Sequence, residues 1–378
     1  MAEDLIAGLE EIARRKEFTS TSWKVLEMAA NASWSQLTNL YDVPDISSRA
    51  CIYVTGSMAR DEASEGSDLD LFVIDDLPLP KTNYSQSSLD GTSEPEQVGY
   101  EQPLAEENSN QSRGRLSYVE SCRLIAALDN VRHTANFRPF SRGGEFIVPH
   151  SFQSLISEIG SPFDDASNTF TARLLLLLNS RVLLNQEAYE AAKREVFDSY
   201  WDRHDRDKPF FPIMLTNDIR RWWGVLGLNF ERRNRRVSEE EFRSAPERRL
   251  ENFKLRYAKL LGVYSSLMGL VDSSGEQGVL RGDAEDVLNA TPVQRLMRVG
   301  ERHAESNPQI WADIRSVLEE YDEYLRFVSQ EKQKVLSELK SDETWKERKS
   351  RAYHFHKSFV KLFEMVGHGR TLYEYCVV

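Results

Sequence analysis

The stretch Ile52-Tyr53-Val54-Thr55-Gly56-Ser57-Met58-Ala59-Arg60, followed by Ser67-Asp68-Leu69-Asp70-Leu71-Phe72-Val73-Ile74, decides how the rest of the chain is read. Cys51 to Thr55 is apolar and rich in β-branched side chains and stops at a Gly-Ser pair, which predicts a strand entering a tight turn. Gly56 admits a backbone conformation, or a close approach to a ligand, that a side chain would block. Ser57 is suited to cap a following short helix, whose free N–H groups would face an anion. Asp68 and Asp70 stand two positions apart on an apolar run, so a second strand would point both to one face.

Two carboxylates on one strand face repel each other unless a cation lies between them, and an oxygen-rich pair suits Mg²⁺ or Mn²⁺. A phosphate cradle beside such a pair describes a nucleoside triphosphate site. Gly-Ser, ten residues and then Asp-x-Asp resembles the signature of the DNA polymerase β-like nucleotidyltransferase superfamily. That resemblance implies NTP phosphates over Gly56 and Ser57, with Asp68 and Asp70 as catalytic metal ligands. It also implies a third carboxylate on a later strand, for which Glu145 in Glu145-Phe146-Ile147-Val148-Pro149 is the candidate by position. Arg60 follows the turn closely enough to reach a phosphate or the first helix's neighbours.

Composition bounds the alternatives. The chain has 378 residues, 40% hydrophobic and 29% charged, an ordinary globular balance that leaves room for two or three domains. No apolar run approaches the length of a membrane span, so no membrane role is expected. The N-terminus lacks the basic start and apolar core of a signal peptide, and the three cysteines are scattered without metal-type spacing. These features predict a cytoplasmic protein with reduced thiols. A net charge of −12 argues against a general nucleic-acid coat but leaves room for a local basic patch.

Along the chain, helices are expected over 3–17 and 21–41, with Asp45 to Ser48 as a turn into the strand. From about 75 to 115 the sequence is rich in Pro, Ser, Asn, Gln, Gly and Glu, which predicts a long loop or flexible insertion. A helix is expected from Val119 to His133, a strand at Glu145–Pro149 and a short helix from Ser151 to Ile159. Asn168 to Leu183 reads as one strongly apolar helix carrying Arg173 and Arg181 on a similar face. A buried Arg173 requires a partner, either Asp164 or Asp165 or a nucleotide phosphate. Further helices are expected from about Phe210, over 247–268, from Pro292, from Asn307 to Leu339 and over 342–366. Arg220, Arg221, Arg232, Arg233, Arg235 and Arg236, near Trp222, Trp223 and Phe230, form the densest basic stretch. It reads as an RNA- or phosphate-binding patch or as a solvated helix end.

From Val148 to Leu183 the chain is similar to the region after the active site in protein-PII uridylyltransferases and in DUF294-type nucleotidyltransferases, within a match that covers about residues 50 to 200. The resemblance rests on Val148-Pro149-His150-Ser151 and on Thr171-Ala172-Arg173 through Ser180-Arg181-Val182-Leu183. In such enzymes a helix after the catalytic domain helps close the nucleotide pocket, which adds Asn217 and Arg221 to Arg173 as nucleotide-binding candidates, with Asp218 beside them. The expected fold is α+β: a small mixed β-sheet nucleotidyltransferase domain with flanking helices over 1–207, then an all-α domain over 208–378. The expected activity is metal-dependent transfer of a nucleoside monophosphate from an NTP to a protein or tRNA/RNA hydroxyl, toxin-like or regulatory. The alternative is a catalytically silent nucleotide-binding or partner-regulated protein of the same fold.

Overall fold

The computed structural model describes residues 8–40, 46–77, 114–140, 144, 146–235 and 244–377. Most of the 75–115 insertion lies outside these residues, as do Glu145 and Arg236. Helix α1 (Glu10–Leu40) merges the two helices expected at the N-terminus. Thr19, at the expected break, donates its hydroxyl to the Arg15 carbonyl at 2.7 Å, which lets a β-branched residue stay in the helix. A short helix, α2 (Ile46–Arg49), rather than a turn, leads into β1 (Cys51–Thr55). Then come α3 (Gly56–Ala59), β2 (Asp70–Asp75) and α4 (Tyr118–Thr134), the last opened by a reciprocal Ser117–Glu120 capping box.

Strand β3 (His150–Ser151) is far shorter than the expected strand, and residues 146–147 form a tight helical turn instead. Pro149 has no N–H to give a ladder, so pairing begins only after it. Helices α5 (Phe152–Ser157), α6 (Phe163–Ala166) and α7 (Thr169–Leu178) follow. The long apolar helix ends at Leu178, and Arg181–Leu184 is strand β4. A short apolar run has no periodicity to separate helix from strand, and here the open edge of β1 decides. Arg181 therefore does not share a helix face with Arg173. It stacks over Trp23 at 3.8 Å, near Asp61.

The sheet order is β3-β2-β1-β4, with β1 antiparallel to both neighbours and β2 parallel to β3. Both faces are covered, which is why β1 and β2 read as continuous apolar runs. Ile52, Val54, Leu71 and Val73 pack under α1 and α4, while Tyr53, Phe72 and Ile74 join α5, α7 and α8 (Gln186–Asp198) on the other face. That second cluster continues unbroken into the helical half.

The helical half comprises α9 (Ile213–Asn234), α10 (Ala245–Lys254), a π-helical turn (Leu255–Lys259) and α11 (Leu260–Ser273). It continues with α12 (Arg281–Asn289), α13 (Pro292–His303), α14 (Pro308–Val328), α15 (Lys332–Glu338), α16 (Asp342–Gly367) and α17 (Thr371–Val377). The helix expected from Asn307 to Leu339 is two, broken at Ser329–Glu331. The tail docks through buried Leu372 and Cys376. The whole is α+β with a largely helical remainder, and among the described residues no helix is long and apolar enough to cross a membrane.

Side-chain bridges hold the helical half against the sheet. Arg15 of α1 donates to the Glu62 carbonyl at 2.8 Å and to the Leu325 carbonyl of α14 at 2.9 Å. The Tyr321 hydroxyl donates to Glu62 Oε1 at 2.9 Å, and Arg60 Nε donates to Glu62 Oε2 at 2.6 Å. The loop after the Gly-Ser turn is thus tied to the distant helix α14.

Candidate active site

The register of β1 with β2 sets Asp70 opposite Thr55, beside the turn. Gly56 has φ +71°, and a Cβ placed on it would fall on the Oδ2 of Asp70. Glycine is required on both counts, for the left-handed backbone and for the space. Ser57 lies inside the first turn of α3, and Thr55 occupies the cap position without a side-chain hydrogen bond, so Ser57 is not the expected cap. The ladder starts at Asp70, leaving Asp68 in the approach to β2 rather than within it. The alternation still holds, with Leu69 buried between two exposed aspartates.

Asp70 stays open to water, yet protein surrounds it on most sides, and this crowding raises its pKa above the ordinary value. Asp68 pushes it further up, while Lys259, Arg60 and Lys254 pull it down. Arg60 is held firmly charged: burial opposes its charge, but Glu62, Tyr321 and Tyr324 together outweigh burial. Lys259 is lowered to about 8, first by burial and then by Arg60, against the pull of Asp70. The aspartate pair therefore faces three cations, two of them from the helical half.

Lys254 and Lys259 were not legible as site residues. At 3.6 residues per turn, positions five apart lie about 140° around an α-helix, so a regular helix would send them to different faces. The widened turn at Leu255–Lys259, closed by the Leu260 N–H to the Leu255 carbonyl, changes that relation. Such turns recur at functional sites. In the sequence they are only two lysines five positions apart within the helix expected over 247–268.

Gly56, Ser57, Arg60, Asp68 and Asp70 are brought together; Arg173, Asn217 and Arg221 belong to a second network. Arg173 is fully buried and donates to both carboxylate oxygens of Asp164, at 2.9 and 2.8 Å. It also reaches the Leu155 carbonyl, Tyr200 and Asp218. Burial alone would raise the Asp164 carboxyl, but Arg173 holds it below the ordinary value. Arg221 pairs with Asp165 at 2.8 Å and lies over the Phe170 ring, and Asn217 accepts from Arg220. Helix α9 does reach the site, through Trp222, which lines a small cavity with Arg60, Asn179 and Lys259. Of the basic stretch, Arg221 turns to these aspartates, whereas Arg232, Arg233 and Arg235 lie exposed at the end of α9.

A cavity of about 590 Å³ opens beside Asp68, between the loop before β2, α10 and the α14–α15 joint. Two neighbouring aspartates supply the hard oxygen donors that Mg²⁺ or Mn²⁺ prefers, and a cation there would offset their repulsion. Among the described residues no group of three or more His, Cys, Asp or Glu could hold a metal, and Glu145 lies outside those residues.

Residues 42–113 match the nucleotidyltransferase domain family, consistent with a polymerase β-like nucleotidyltransferase. The match covers the Gly-Ser turn and both aspartates without singling out the uridylyltransferase or DUF294-type branch. No curated protein and no solved structure matches the chain.

Asp164→Ala would strand a buried guanidinium and is expected to lower stability by about 3–5 kcal/mol, measurable by denaturant unfolding. Gly56→Ala is expected to leave the far-UV spectrum unchanged while reducing NTP affinity at least about tenfold, because the new methyl displaces Asp70. For Lys259 the sign is set by a folded value of about 8, below the ordinary 10.5. Burying the ammonium costs stability at neutral pH, and the cost fades as pH rises from about 8 towards 10.5. Lys259→Met is accordingly expected to raise Tm at pH 7 by roughly 2–4 °C and to weaken NTP binding. In a titration series the parent is expected to lose NTP affinity above pH 8, as Lys259 gives up its proton, and Lys259→Met to show no such loss.

Proposed function

We propose that this chain moves a nucleoside monophosphate from an NTP to a hydroxyl of a protein or of tRNA/RNA. One observation carries the reading: Asp70 is packed against the bare Cα of Gly56, with Asp68 beside it and Lys259, Arg60 and Lys254 around it. Carboxylates for a divalent cation and basic groups for a polyphosphate converge at a turn where only backbone intrudes. The nucleotidyltransferase domain match at 42–113 supports the same chemistry.

Gly56 and Ser57 would present backbone to the phosphates. Asp68 and Asp70, completed by Glu145, would hold one or two Mg²⁺ or Mn²⁺, which when bound neutralise charge on the attacking and leaving oxygens. Lys259 and Arg60 would balance the charge that gathers on the β- and γ-phosphates as the α–β bridging bond breaks. The acceptor oxygen forms its bond to the α-phosphorus as pyrophosphate leaves, and Glu145 is the proposed acceptor of the hydroxyl proton. Held in line between the two halves, the reactants need little further ordering. The Arg15, Glu62 and Tyr321 bridges suggest that a protein partner acting on α14 would regulate the turn.

A catalytically silent member is the second reading, favoured by the lack of a third metal-holding group among the described residues. Incubation with each α-³²P-labelled NTP, Mg²⁺ or Mn²⁺ and a lysate of protein and RNA separates the two. Label on one macromolecule is expected with the parent, reduced by about 10³-fold or more in Asp68→Asn and Asp70→Asn. NTP binding without label from any base would favour the silent reading.

A further inference from the structure

Glu62 is buried, yet no step of the proposed reaction uses it. It stands two residues after Arg60, in the loop that leaves the Gly-Ser turn. Asp61, between them, has φ +59°, a left-handed backbone that aspartate adopts more readily than most residues. The Glu62 N–H then donates to the Ser57 carbonyl at 2.9 Å, which closes the end of α3 as left-handed helix caps do. The Glu62 carbonyl accepts from Arg15 of α1 at 2.8 Å. Held by its backbone, the side chain offers one carboxylate oxygen to each half of the molecule. Oε2 accepts from Arg60 Nε at 2.6 Å, and Oε1 accepts from the Tyr321 hydroxyl of α14 at 2.9 Å. An arginine tied at Nε has few rotamers left, so the direction of its guanidinium is set.

Tyr321 is fixed in turn. Its ring is fully buried and packs on Tyr324 at 5.5 Å and on Phe355 at 6.4 Å. Tyr324 stacks on Tyr257, with centroids 4.6 Å apart and planes 3° from parallel. Tyr257 belongs to the widened turn that ends at Lys259. One aromatic stack therefore fixes both the hydroxyl that holds Glu62 and the turn that carries Lys259. Both arms end at cations that act on Asp70.

The geometry points to Glu62 and Tyr321 as positioning residues that aim the Arg60 guanidinium at the β- and γ-phosphates of the NTP. Through them the helical half sets the phosphate grip of the sheet-bearing half. This rests on the reading of the Gly-Ser turn as an NTP site and deepens it. Neither side chain touches the nucleotide, and both act through Arg60. A nucleoside monophosphate, which has no β- or γ-phosphate, does not depend on them.

The test uses the full chain and calorimetric titration with each Mg·NTP and with the matching nucleoside monophosphate. Tyr321→Phe keeps the ring and removes the hydroxyl. Glu62→Asp keeps the charge and shortens the reach to both partners. Each is expected to raise Kd for Mg·NTP about fivefold, the size of one lost hydrogen bond, and to leave Kd for the monophosphate unchanged. Arg60→Met is expected to raise Kd for Mg·NTP about tenfold or more, and Tyr321→Phe added to it to change nothing further. A residue that only stabilised the fold would weaken both nucleotides alike and would add its loss to that of Arg60→Met. Either of those results overturns the proposal, as does an unchanged Kd for Mg·NTP in Tyr321→Phe. Should Tyr321→Phe lose its far-UV spectrum, Glu62→Asp carries the same cycle with the same outcomes. A parent that binds Mg·NTP while the variants bind it equally well sinks this proposal alone. A parent that binds no Mg·NTP removes the underlying reading of the turn with it.

Discussion

Where the Cα of Gly56 meets the carboxylate of Asp70, the fold leaves no room for a side chain. That contact follows from pairing Thr55 with Asp70 at the end of an antiparallel ladder, so the strand register and the site are one constraint. A register slip of one residue would turn Asp70 to the other face and bury charge among the apolar side chains under α1 and α4. The buried rows of Ile52, Val54, Leu71 and Val73 on one side, and Tyr53, Phe72 and Ile74 on the other, resist that slip. The sheet core, not the polar residues, thereby keeps the carboxylate at the turn.

The second requirement is compensation of charge. Asp70 is crowded by protein and repelled by Asp68, and its relief comes from Lys259, Arg60 and Lys254. Lys259 in turn is so buried that its ammonium is disfavoured, with a value near 8. Each half of the molecule thus holds charge that the other half balances. Polyphosphate and divalent cations are suited to such a site because they satisfy both sets of charges at once. Strain of this kind is commonly retained at functional sites and offset by the surrounding core.

The two networks of arginines make the contrast plain. Arg173 and Arg60 both lie in the sheet-bearing half beside aromatic or acidic neighbours, and both read as phosphate candidates. Arg173 spends its donors on Asp164, Leu155, Tyr200 and Asp218, which close around it. Arg60 is anchored by Glu62 but remains within electrostatic reach of Asp70 and Lys259. Burial of a cation does not by itself separate a structural role from a phosphate-binding one; the position of its partners does.

Local chemistry in the sequence was enough to identify the strand, the Gly-Ser turn, the Asp68–Asp70 pair and the α+β class. Each depends on residues within about one turn or one strand length of each other, where sterics and two-fold alternation act directly. The same local rules misread Arg181–Leu184, because a short apolar segment becomes helix or strand according to whether a sheet edge is free beside it. They also split α1 where a threonine hydroxyl keeps the helix intact. Lys254 and Lys259 stayed invisible because their meeting with Asp70 needs a widened helical turn and a partner almost two hundred residues away in the chain. Tertiary structure alone decided which cations face the aspartates, since contact across such a separation is set by how the two halves pack and not by any periodicity along the chain.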